Sequence, residues 1–161
     1  MRGSGGTLLV SESRNVEAEL IDVMSALALD PLGFVRFAYP WPIHGEPGPD
    51  VIQERFLVAL GERVRANRFN GLDPVPPIRM GLSSGHGIGK SVLGAWIVDW
   101  IMSTRRNCRG TVTANTNEQL EKKTWAAVRE WTARCITAHW FEINSEIMFR
   151  KGWRAQWQTS P

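Results

Sequence analysis

At 161 residues, 43% hydrophobic and 22% charged, the chain has the length and composition of about one globular domain with a substantial core. No apolar run reaches the roughly 18 residues that span a bilayer, and Cys108 and Cys135 lack metal-ligand spacing, so they read as reduced structural thiols of a cytosolic protein. The net charge of +3 is unevenly spread: residues 1–50 hold three Lys/Arg against seven Asp/Glu, and the remainder sixteen against nine. A basic body behind an acidic arm suits a polyanionic partner, and equally a solvated basic surface.

The first dozen residues, "MRGSGGTLLVSE", read as a flexible start without the apolar core of a signal peptide. Over residues 14–29, Val16, Leu20, Val23, Met24 and Leu27 share one face of a predicted helix. Residues 31–50 are rich in Pro and Gly and predict an irregular connection pinned by Phe34, Phe37, Tyr39 and Trp41. Asp50 then caps a second helix, with Gln53 placed for a capping box and a stripe of Ile52, Phe56, Leu60 and Val64. These elements form a helical and irregular N-terminal appendage over residues 13–72.

From residue 73 the pattern changes. "IRMGL" (78–82) predicts a short strand, "SSGHGIG" a loop, and "KSVLGAWIVDWIMS" a helix so apolar on most sides that it should be buried. "GTVTAN" predicts a β-branched strand. Thr116 and Gln119 then form a capping box for a helix over 117–137 with a stripe of Leu120, Thr124, Val128, Trp131 and Cys135. "EIMFRKGWRAQWQ" predicts two short strands turning at Lys151–Gly152. The order strand, loop, helix, strand, helix is a βαβ unit, so the expected class is α/β with parallel strands and flanking helices.

The loop carries the chemistry. A phosphate cradle needs inward-pointing backbone N–H groups, a helix N-terminus behind them and a compact cation. "SGHGIGKS" supplies Gly85, Gly87 and Gly89 for close backbone approach, Lys90 for the β- and γ-phosphates and Ser91 for Mg²⁺. Ser84 stands where the pattern G-x-x-x-x-G-K-[ST] has Gly, and it is small enough for the turn; Ile88 completes the loop. His86 reads either as a donor to a phosphate oxygen or as a solvent-facing spacer. Gln53 has two open roles, the local cap and an amide that reads N6 and N7 of adenine.

The segments "FVRFAYPW", "GPDVIQERFLVALG", "SGHGIGKSVLGAWIVDW", "TVTANTNEQL" and "REW" followed by "WF" resemble, in order over about residues 30–158, the N-terminal ATPase region of terminase large subunits. These are the DNA-packaging motors of tailed bacteriophages and prophages. The resemblance implies a RecA-like ASCE P-loop core, partial here, that uses ATP and Mg²⁺ to drive double-stranded viral DNA into a procapsid. It also implies a small terminase subunit and the portal as partners, in the cytoplasm of a bacterial host, with no membrane. By the same likeness, Gln53 matches the adenine-side motif, although this chain has Ile52 where family members often carry Trp. Gly85 to Ser91 match the phosphate loop, with Lys90 the catalytic lysine. Thr113–Ala114 match a strand-end segment beside the nucleotide or DNA path, and read equally as the approach to the Thr116 cap.

Hydrolysis also needs a strand ending in carboxylates. "AWIVD" puts Asp99 well down the buried helix and "HWFE" puts Glu142 directly after a helix, so neither suits that role. The family's Walker B strand lies further along than residue 161. The chain is therefore expected to be the N-terminal part of such a protein, a poor ATPase by itself and prone to self-association. A helicase-like P-loop motor and a non-catalytic interaction module with a vestigial loop are the alternatives.

Overall fold

The computed structural model describes residues 5–83 and 89–161, and side chains from residue 15 onward. Helix α1 spans Gly5–Ala26, continues as a 3₁₀ turn over Leu27–Leu29, and meets α2 (Pro31–Ala38). Helix α3 is Val51–Ala66 and α4 is Lys90–Thr104. After strand β1 (Arg109–Thr111), helix α5 (Asn117–Gln119) passes through a π-helical stretch, Leu120–Trp125, into α6 (Ala126–Thr132). Strands β2 (Phe141–Ile143), β3 (Met148–Arg150) and β4 (Gln158–Ser160) complete a four-stranded sheet of order β1-β4-β3-β2. Among the described residues no helix is long and apolar enough to cross a membrane.

The architecture is mixed α/β with an N-terminal helical segment, and the sheet departs from the expected parallel one. Only β1 and β4 run parallel; β2–β3 and β3–β4 are antiparallel. Residues 78–82 form no strand, because a strand exists only through a ladder partner and every strand of the sheet comes from beyond α4. The βαβ unit expected around α4 is accordingly not seen. The turn at Lys151–Gly152 follows β3 as expected, with Gly152 at φ 79°, but the second strand starts only at Gln158, after further turns.

Local sequence explains the helices. Asp30 caps α2 by accepting from the Gly33 amide at 2.9 Å, and Pro31 sits in its first turn, where its missing N–H is no loss. The prolines of this region predict an irregular segment throughout, yet Pro31 starts a helix. The irregular path begins only after Ala38 and contains a cis Trp41–Pro42 bond. Asp50 and Gln53 form the predicted capping box of α3: Asp50 Oδ1 accepts from the amides of Ile52 and Gln53, and Gln53 Oε1 accepts from the Asp50 amide at 2.9 Å. The buried face of α3 is Gln53, Leu57, Gly61 and Val64, one step from the predicted stripe, and Ile52 is 44% exposed. Gly61 is the reason: a Cβ there would lie 3.0 Å from Pro31 Cδ, so α3 approaches the start of α2 along its glycine.

Helix α4 is the central rod, and it buries Leu93, Ala95, Trp96, Asp99, Trp100, Met102 and Ser103. Three long side chains tie the Leu27–Leu29 turn to the body: Trp100 Nε1 donates to Leu27 O (3.0 Å), Arg105 to Ala28 O (3.0 Å) and Arg65 to Leu29 O (2.8 Å). On the other side, Val128, Trp131 and Cys135 bury as predicted. The π-helical stretch adds a residue to the turn and rotates the face, so Trp125 enters the core and Thr124 is only half-buried.

Candidate functional site

The predicted cradle has its surroundings in the described structure. Ser84, Gly85, His86, Gly87 and Ile88 lie outside the described residues; Gly89, Lys90 and Ser91 are described. Gly89 is the N-cap of α4, in the left-handed region at φ 68°, a conformation that favours glycine. Helices α2, α3 and α5 each close their first-turn amides with an Asp or Thr side chain. Gly89 has no side chain to do so. The first turn of α4 therefore presents amide donors and the positive end of the helix dipole where Lys90 and Ser91 begin the helix.

Helix α3 brings Gln53 to this point. Its amide nitrogen occupies the space a Gly89 side chain would need, so a Cβ added at Gly89 collides with Gln53 Nε2. The Gln53 carbonyl oxygen is engaged in the capping box. In this conformation the side chain therefore performs the local cap and abuts Gly89, and it does not offer both amide atoms to an adenine. The C-terminal half of α3 holds the chain leading to the loop: Asn67 donates to Pro76 O (2.7 Å) and Arg63 to Arg79 O (3.0 Å). One helix thus positions both sides of the loop.

Asp99 and Glu142, unsuited to hydrolysis by their place in the sequence, have other surroundings. Glu142 is an exposed residue of β2. Asp99 is 1% exposed and lies nine residues along α4 from Lys90, about 13 Å at helical rise. Its Oδ2 accepts from the Tyr39 hydroxyl and its Oδ1 from the Thr132 hydroxyl, each at 2.7 Å. Burial pushes the Asp99 carboxyl up to about 7, against the lowering effect of those two hydrogen bonds. Around it, Tyr39, Trp41, Trp96 and Trp131 pack mostly edge to face, with Tyr39–Trp131 and Trp96–Trp131 centroids 5.2 Å apart. Asp99 thus serves the core. Its partners stand 60 and 33 residues away in sequence, and no local pattern announces them.

Among the described residues no group of three or more His, Cys, Asp or Glu gathers to hold a metal ion. A Mg²⁺ carried by a nucleotide needs no such cluster, since phosphate oxygens and waters supply most of its ligands and the protein one hydroxyl. No family model, curated protein or solved structure matches the chain.

Proposed function

We propose that the chain is the ATP-binding part of a DNA-packaging terminase large subunit, which in the full protein couples ATP hydrolysis to translocation of double-stranded viral DNA. The observation that carries this reading is the meeting of Gln53 and Gly89 at an α4 N-terminus that no side chain caps among the described residues, immediately before Lys90 and Ser91. The ordered resemblance of residues 30–158 to that family supports it.

In this reading the amides at the start of α4 and the helix dipole attract the phosphates. Lys90 holds the β/γ-phosphates as a point charge, and the Ser91 hydroxyl would ligate Mg²⁺, which when bound neutralises charge on the phosphates. Gln53 acts through Gly89: the amide packed against that glycine fixes where α4 starts and so where the donors point. Asp99, held by two hydroxyls in the core, takes no part in polarising water.

Isothermal calorimetry with ATP–Mg²⁺ tests the proposal. ATP should bind, and Lys90→Ala should weaken the binding at the start of α4 by about tenfold to a hundredfold, the loss of a charge-assisted hydrogen bond. Equal binding by both chains would reject it.

A further inference from the structure

The far end of α4 carries a second concave site that the nucleotide cradle does not use. Arg105 and Arg106 follow the last turn of α4, about 22 Å along the helix from Lys90. There a cavity of about 390 Å³ opens between α1, the α4 terminus and the chain linking β3 to β4. That volume falls within the range of small-molecule sites. Its walls combine arginine and tryptophan, which the sequence alone does not join because they come from residues 105–106 and 140–157.

Arg150 is the central observation. Its guanidinium lies 4.2 Å over the Trp140 ring and 5.5 Å over Trp157, and its Nη1 is buried without a hydrogen-bond partner among the described residues. Aromatic faces offset part of the cost of desolvating that cation, but they leave the N–H donor unsatisfied. The nearby carboxylate of Glu17 accepts from Trp140 Nε1 and contacts His139 Nε2 at 3.1 Å; its charge offsets part of the Arg150 cation, with no hydrogen bond to Nη1. Arg105 is also engaged, stacked 4.0 Å over Trp100 and donating to Ala28 O. Arg106 is exposed, and Trp153, 53% exposed, stands at the same cavity. An exposed tryptophan beside a half-buried arginine with one unsatisfied N–H group, and a second, exposed arginine, suits a ligand with a negative charge and a flat π face. Inorganic phosphate would leave Trp153 unused, and an acyl chain would leave the arginines unused.

We infer that this cavity binds a phosphorylated planar base, with Arg150 and Arg106 holding the phosphate and Trp153 stacking on the ring. The same chemistry is offered by a free mononucleotide and by the end of a single strand. Lys90→Ala is the background for the test, because it weakens the proposed cradle at the other end of α4, while changes at Trp153 and Arg106 report on the cavity alone. Binding of AMP, a twelve-residue thymidine oligonucleotide and inorganic phosphate is measured by calorimetry on that chain and on the same chain carrying Trp153→Ala or Arg106→Ala. Both added changes are at exposed positions, and thermal melts confirm that the fold is kept.

Binding of AMP or the oligonucleotide in the Lys90→Ala background is expected, weakened about fivefold to a hundredfold by Trp153→Ala, as for loss of one stacked base. A tighter oligonucleotide identifies a strand end, and equal or tighter AMP identifies a free nucleotide. No binding in that background, binding unchanged in both variants, or phosphate binding as tightly as AMP would each overturn the inference. AMP binding that survives Lys90→Ala but not Trp153→Ala, in a chain whose ATP affinity also ignores Lys90, would uphold this site and reject the cradle.

Discussion

Replacing Asp99 by asparagine isolates the effect of holding a carboxyl group in the core between Tyr39 and Thr132. The folded group titrates at about 7, against an ordinary value of 3.8. Between those two pH values the native chain binds the proton that the unfolded chain has released, so stability falls as pH rises. The contribution is fully present below pH 3.8 and is lost as pH passes 7. The difference corresponds to about 4 kcal/mol, roughly 3 kcal/mol of it between about pH 5 and about pH 8. An asparagine in its place has no charge to bury, and the two hydroxyls can turn to donate to its oxygen and accept from its nitrogen. Urea denaturation of both chains across this range reads the effect directly, because Cys135, Tyr39 and the surface groups are common to both. Asp99→Asn should gain on the wild type steadily from acid to mildly alkaline pH. Parallel curves, or a variant that loses ground as pH rises, would refute the reasoning.

Gly89→Ala should destabilise the chain by about 1–2 kcal/mol, since it forces a side chain into the left-handed region and against Gln53; a thermal melt checks the stability and calorimetry the loss of ATP binding. Asp50→Ala removes the α3 cap and should cost about 1 kcal/mol in urea denaturation. Trp100→Phe should cost about 1 kcal/mol more than Trp96→Phe in the same assay. Trp100 Nε1 donates to Leu27 O, whereas Trp96 Nε1 is buried with no partner among the described residues.

The features that sequence revealed are those decided within a few residues. The Asp50–Gln53 box, the Thr116 cap and the buried character of α4 each depend on neighbours in the chain. Pro31 misled because its effect depends on position, breaking a helix interior and favouring a first turn. The face of α3 depended on how closely Gly61 lets another helix approach, and the burial of Trp125 on a π-helical stretch that periodicity does not encode. The parallel sheet was read from element order alone, but strand pairing is a long-range choice: β4 joined β1 and β3, and nothing joined residues 78–82. Of the site, the loop motif, Lys90 and Ser91 were legible as letters, and Gln53 was legible as a cap. Its contact with Gly89, 36 residues on, needed the folded chain.

If the start of α4 holds nucleotide phosphates, its first amides must respond to nucleotide. Hydrogen–deuterium exchange of the peptides covering residues 83–96, with and without ATP–Mg²⁺, tests it most directly. Nucleotide should slow exchange of the first-turn amides after Gly89 in the wild type, and Lys90→Ala should shift this protection to nucleotide concentrations about tenfold to a hundredfold higher. Exchange in this segment that ignores saturating nucleotide would contradict it.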